Sequence, residues 1–96
     1  MLKEGITGEA SAVVNDENTA IKMGSGTLPV FATPAMVALV EKAAWSSVAS
    51  ELEDGQSTVG TAMTLSHESA TPKGLKVTAK TTLTAVDRRK LTFSWE

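Results

Sequence analysis

The sequence predicts an α+β fold in which an antiparallel β-sheet wraps around one long central helix. Three observations predict it: an apolar pattern of helical period that opens at Thr33-Pro34, a change to strict alternation after Gly55, and explicit turn residues between the alternating runs. At 96 residues the chain reads as one domain, 1–96. A domain of that size only just outweighs its chain entropy with a single core, so burial against a second copy is expected to help.

The elements follow in order. Glu9 to Val14 has strand character, and the polar run Asn15-Asp16-Glu17-Asn18 reads as the turn that ends it. Met23 to Pro29 carries Gly24, Gly26 and Pro29 and reads as an irregular loop. Thr33-Pro34 is a helix start, because a threonine hydroxyl can cap free backbone N–H groups and proline fits the first turn without losing a bond. From there Met36, Val37, Leu39, Val40, Ala43, Ala44, Trp45 and Val48 make the helix apolar over most of its circumference, the pattern of a helix buried within the fold. Three strands are then expected, at roughly Thr58 to Ser69, Leu75 to Val86 and Lys90 to Glu96. Thr71-Pro72-Lys73-Gly74 and Asp87-Arg88-Arg89 supply the turns of an antiparallel meander. Leu75, Val77, Ala79, Leu83 and Ala85 share one sheet face, and Lys76, Thr78, Lys80, Thr82 and Thr84 the other. Strand, buried helix and long meander together describe the hotdog arrangement. The chain stops at Trp95-Glu96 inside a strand-like run, so a C-terminally truncated domain lacking its last strand is expected.

Composition narrows the function. With 42% hydrophobic and 21% charged residues the chain is globular. It has no cysteine, which excludes a disulfide scaffold, a thiolate nucleophile and thiolate metal sites, and makes a reduced, cytoplasmic compartment the simplest expectation. MLKEGITGEA lacks the apolar core of a signal peptide, and no run of about eighteen apolar residues is present for a membrane span. Net charge is −2, with the basic residues concentrated after Gly55. A phosphorylated ligand would suit that half, but aromatic residues are too few to make a nucleic-acid surface.

Residues able to do chemistry are few. One histidine, no HExxH and no GxxxxGK[ST] loop argue against a metal site or a nucleotide cradle, so neither a metal nor a cofactor is expected. Gly24-Ser25-Gly26-Thr27 is glycine-rich but lacks the lysine of a phosphate loop. Glu41 has Val37, Ala38, Ala44, Trp45 and Val48 as its helical neighbours, which sets a carboxylate on an apolar face; it is either a functional group or a surface glutamate beside Lys42. His67 shares a strand side with Val59, Met63 and Leu65, and is either the titrating group of a site or a satisfied core histidine. Thr33 is explained as a helix cap and is also a candidate hydroxyl. Lys73, Lys76, Lys80, Arg88, Arg89 and Lys90 form a solvated face or meet phosphates. On a straight helix Thr33 and Glu41 are separated by about 12 Å of rise, so the two cannot simply touch. Thr33 sits in a bent loop, reaches the site from a neighbouring subunit, or only orients a bound group.

Taken together, these residues resemble the fluoroacetyl-CoA thioesterase family. The resemblance is carried by Val30-Phe31-Ala32-Thr33-Pro34, Val40-Glu41-Lys42, Val59-Gly60-Thr61, Leu65-Ser66-His67 and Ala70-Thr71-Pro72-Lys73-Gly74-Leu75-Lys76-Val77, and covers roughly residues 28 to 96. It implies a hotdog thioesterase that hydrolyses a short acyl-CoA near the interface of a homodimer or tetramer, with no nucleic-acid or membrane partner. Thr33, Glu41 and His67 are then the catalytic residues, and Gly60 lies close to the thioester. His67 acts as general base or acid on water or on the Thr33 hydroxyl, and Glu41 orients it or attacks the thioester directly. In the family a further strand follows, bearing a glycine-to-histidine-to-arginine segment that lies beyond Glu96. Selectivity for a fluorinated acyl group is not implied. A non-catalytic acyl-CoA-binding module and a hydratase on the same fold are the alternatives.

Overall fold

The computed structural model describes residues 2–67, 69–87 and 90–96. The alternating run TGEASAV forms strand β1 (Thr7–Val13), with Gly8, Ala10 and Ala12 turned inward. A four-residue helix α1 (Ala20–Met23) follows, capped by the Thr19 hydroxyl and closed by Gly24 in the left-handed conformation at φ 77°. The main helix α2 (Thr33–Val48) leads into a single 3₁₀ turn at Ala49–Glu51, and the chain finishes with strands β2 (Lys76–Asp87) and β3 (Lys90–Trp95). The sheet is antiparallel in the order β1-β2-β3. The twelve residues of β2 serve two neighbours: Lys76 to Thr82 pair with β1, and Thr81 to Asp87 pair with β3 across a bulge between Leu83 and Ala85.

Helix α2 packs against β1 and β2. Leu39, Val40 and Ala43 meet Val14, Phe31 and Ala79 in the core, with Ala10, Ala12, Met36, Met63, Val77 and Trp95 around them. Gly8 permits the close approach of strand to helix. A Cβ placed there would collide with the Ala43 carbonyl oxygen and lie 2.7 Å from the Ser47 Cβ.

Three expectations need correction. The strand expected at Thr58 to Ser69 does not form: residues 56–67 carry no ladder, and Glu68 lies outside the described residues. The alternation is present, but a strand needs a neighbouring backbone to take its N–H and C=O groups, and this segment passes beside helix side chains instead. The meander is accordingly the hairpin β2–β3, with β1 on its other flank. Second, α2 is buried on one side only; Trp45 remains 51% exposed. Third, Thr33 is not the helix cap. Ala32 occupies that position in extended conformation without a side-chain bond, and Thr33 is the first helical residue. The turn expected at Asp87-Arg88-Arg89 is flanked by the paired residues Asp87 and Lys90, while Arg88 and Arg89 lie outside the described residues.

The contact at Gly8 is directly testable. Its backbone is in an ordinary region, so chain entropy alone would favour alanine by roughly 0.4–1 kcal/mol. The blocking atom is helix backbone and cannot move aside, so Gly8→Ala is expected to destabilise by about 1–3 kcal/mol in urea unfolding.

Candidate active site

The lead-in to α2 is held from both flanks. On one, Ala32 N–H donates to the Asn18 carbonyl at 2.9 Å and Ala20 N–H to the Val30 carbonyl at 2.8 Å. On the other, Phe31 N–H donates to the Thr71 carbonyl at 2.8 Å and Val30 bridges to Pro72. Phe31 and Ala32 are buried between these neighbours. Thr33 therefore leaves a fixed anchor, and its hydroxyl, unused as a cap, is available to another group.

That group is His67. Thr33 Oγ1 and His67 Nδ1 are 2.7 Å apart. When the ring carries its proton on Nε2, the threonine hydroxyl donates to Nδ1; when Nδ1 is protonated, the ring donates to the hydroxyl. His67 is half-buried and Thr33 exposed. Met63 packs against the core and so anchors the segment four residues before His67.

Glu41 lies two turns along the same helix, and here Gly60 meets it. A Cβ built on Gly60 would fall 3.2 Å from the Glu41 Cδ and Oε2 and 3.3 Å from Oε1, so the glycine backbone rests directly against the carboxylate. The order of these contacts is informative. Gly60 lies at Glu41 and His67 at Thr33, so the segment from 60 to 67 runs antiparallel to α2. The four candidates thus form two pairs on one track, Thr33 with His67 and Glu41 with Gly60. Among the described residues no hydrogen bond joins Glu41 to Thr33 or His67, as the rise of the helix requires. The bent-loop position for Thr33 is excluded, because it is helical. The burial expected at Glu41 is absent in the single chain: Glu41 is exposed, with the Gly60 backbone against its carboxylate.

Other groups lie apart from this track. Lys73 Nζ bonds Asp16 Oδ1 at 2.9 Å, and that direct hydrogen bond with its positive charge holds the Asp16 carboxyl below the usual range. A depression of about 620 Å³ is lined by Thr7 to Glu9, Lys80 to Thr82 and Ser94 to Glu96, and contains none of the four candidates. Among the described residues no group of three His, Cys, Asp or Glu side chains is placed to hold a metal ion. Among the described residues no helix is long and apolar enough to cross a membrane. The sequence reading missed the part played by Asn18 in seating Ala32; an asparagine in a polar turn is too common to signal it.

The geometry has close counterparts. Residues 14–96 match the family described as fluoroacetyl-CoA-specific thioesterase. A fluoroacetyl-CoA thioesterase from Streptantibioticus cattleyicolor is 46% identical over 66 residues, which is 69% of this chain and 46% of that protein. The chain therefore spans about half the length of the curated relative it matches. A crystal structure of a mutant of the fluoroacetyl-CoA-specific thioesterase FlK, in complex with fluoroacetate and CoA, superposes with a TM-score of 0.91 at 32% identity, covering 98% of this chain and 80% of that one. A second structure of the fluoroacetyl-CoA thioesterase FlK gives 0.92 at 32% identity over 99% of this chain and 75% of the other. Agreement over nearly the whole chain establishes the hotdog fold expected from the sequence.

The Thr33 contact can be read without any ligand. His67 is the only histidine, so its two ring ¹⁵N signals need only be told apart as Nδ1 and Nε2. Thr33→Val is expected to move Nδ1 to the position of a ring nitrogen without this bond, while Thr33→Ser keeps it. An unchanged spectrum in Thr33→Val would mean that the two side chains do not meet in solution.

Proposed function

The chain belongs to the fluoroacetyl-CoA-specific thioesterase family, and from that premise we propose that it hydrolyses a short acyl-CoA thioester, with Thr33, Glu41 and His67 catalytic and Gly60 against the acyl group. The observation that carries this reading is the track along α2: a hydroxyl bonded to an imidazole at one end, and a carboxylate under a bare glycine backbone at the other. An acyl-CoA laid along residues 60–67, its short acyl group continued by the thioester and the chain of the thiol, reaches both. The missing side chain at Gly60 leaves room for it and exposes a backbone N–H to its carbonyl oxygen, where charge develops as the carbonyl is attacked.

Hydrolysis requires that oxygen be added to the carbonyl carbon, that the C–S bond break, and that the sulfur leave with a proton. Glu41 and His67 are the essential pair. Where the carboxylate holds the attacking water, His67 takes up the water's proton and returns it to the departing sulfur. Where the carboxylate itself attacks the carbonyl carbon, protonated His67 gives its proton to the departing sulfur, and water then hydrolyses the mixed anhydride left on Glu41, its proton returning to His67. Thr33 holds the imidazole through Nδ1 and keeps it turned toward the acyl group. Fluoroacetyl-CoA is the substrate named for the relatives; for this chain we assign the broader class of short acyl-CoA.

We also propose a homodimer. Trp45 at 51%, Val59 at 82% and Leu65 at 36% exposure leave apolar surface beside the Glu41 track, and burying it would desolvate the carboxylate, as its apolar helical neighbours suggest. A cytoplasmic location accompanies this function, since CoA thioesters are intracellular metabolites.

Thiol release from a panel running from acetyl- to decanoyl-CoA, with phenylacetyl-CoA, tests the activity. Short acyl groups are expected to be cleaved, and His67→Ala and Glu41→Ala each to lower the rate by about a hundredfold or more. Ligand-induced stabilisation without thiol release would instead indicate a binding module, and conversion of an enoyl group with the thioester intact a hydratase. Sedimentation is expected to give twice the 10.0 kDa chain mass, and Val59→Asp to shift the protein toward the single chain; a monomeric wild type would overturn the dimer.

A further inference from the structure

We infer that Asn18 is a positioning residue for the Thr33–His67 pair, acting through Ala32. Its catalytic consequence rests on the thioesterase reading; its structural consequence does not. The backbone carbonyl of Asn18 accepts Ala32 N–H at 2.9 Å, and Ala32 in turn accepts the first helical bond of α2, from Met36 N–H at 3.0 Å. Asn18 thus holds the residue immediately before Thr33.

The side chain helps fix the turn that carries that carbonyl, together with the Asn18 N–H, which donates to the Asn15 carbonyl at 3.3 Å. Asn18 Nδ2 donates to the Val13 carbonyl at 3.1 Å, and Oδ1 accepts Asn15 N–H at 2.9 Å. One short amide therefore staples the turn after β1 to the end of β1, and the staple passes to Ala32 through the same residue's backbone. Only a side chain carrying a donor and an acceptor at this length can make both bonds: aspartate lacks the donor, alanine lacks both, and glutamine is longer by one methylene.

On the opposite flank the same lead-in is tied to Thr71 and Pro72, which follow His67 by four and five residues. The lead-in to α2 is therefore the middle of three chain segments, with Asn18 governing one side and the His67 segment continuing from the other. A hydrogen bond of 2.7 Å between Thr33 and His67 survives a shift of only a few tenths of an ångström before its strength falls away. Small rotations of Ala32, which an unstapled turn would permit, are of that size.

Asn15 provides the control. Its Oδ1 accepts Glu17 N–H at 2.8 Å within the same turn, but its side chain makes no bond to Asn18 or to the lead-in. Asn15→Ala loosens the turn and leaves both Asn18 side-chain bonds in place.

The test uses the full chain, with ¹⁵N-labelled histidine and steady-state hydrolysis measured on wild type, Asn18→Ala, Asn18→Asp and Asn15→Ala. Asn18→Ala is expected to move the His67 Nδ1 signal toward its Thr33→Val position and to lower kcat on the order of tenfold, with KM held within about twofold. Asn18→Asp, which keeps the acceptor alone, should fall between, and Asn15→Ala should match wild type. An Nδ1 signal that stays at its wild-type position in Asn18→Ala and Asn18→Asp overturns the assignment, as does an equal displacement in Asn15→Ala. Should Asn18→Ala fail to fold, Asn18→Asp decides. A wild type without turnover removes the thioesterase reading, yet the ring signal still decides the role of Asn18.

Discussion

The seating of α2 on β1 and β2 governs where every candidate residue can be. The helix presents Leu39, Val40 and Ala43 to the sheet and comes close enough at Gly8 that no side chain fits between the two backbones. Burial of this face stabilises the domain through the hydrophobic effect and at the same time sets the rotation of the helix about its axis. With that face buried, Thr33 and Glu41 stay exposed and meet the chain that returns from Gly55.

What the helix cannot do is bring its own two candidate positions together. Eight residues of helix separate Thr33 from Glu41, and the returning segment resolves this by running antiparallel, laying Gly60 on one and His67 on the other. A linear site of this kind suits an extended ligand better than a compact triad would. A side chain at position 60 would press on the Glu41 carboxylate, whose Cδ and Oε2 would lie 3.2 Å from its Cβ. The polar turn at residues 15–18 and the turn at 71–74, themselves joined by Asp16 and Lys73, hold the entrance to the helix from two sides.

Much of this was legible in the residues. Period and turn chemistry located β1, α2, β2 and β3 to within a residue or two, because burial on one face of a helix or sheet leaves its mark directly in the spacing of apolar side chains. Glu41 and His67 stood out for a related reason, each being an ionisable group at a position where spacing called for an apolar one. The run from Thr58 to Ser69 was misread because alternation reports which side of a chain is buried, while strand formation depends on a partner backbone, and the partner is not written in the segment itself. Thr33 was misread as a cap because a threonine before proline satisfies the local rule equally well one position later, where its hydroxyl is released to His67.

By itself the sequence determined the fold class, the position and length of the main helix, and the identity of the three polar groups worth following. These properties depend on residues near one another in the chain, where helical and extended periods act. Tertiary structure alone decided which groups meet: Thr33 with His67 across 34 positions, Glu41 with Gly60 across a turn and a reversal of direction, and Asn18 with Ala32. Such pairings depend on how the core fixes the rotation of α2 and on which backbone groups remain unpaired once the sheet is complete, and neither can be read from local spacing.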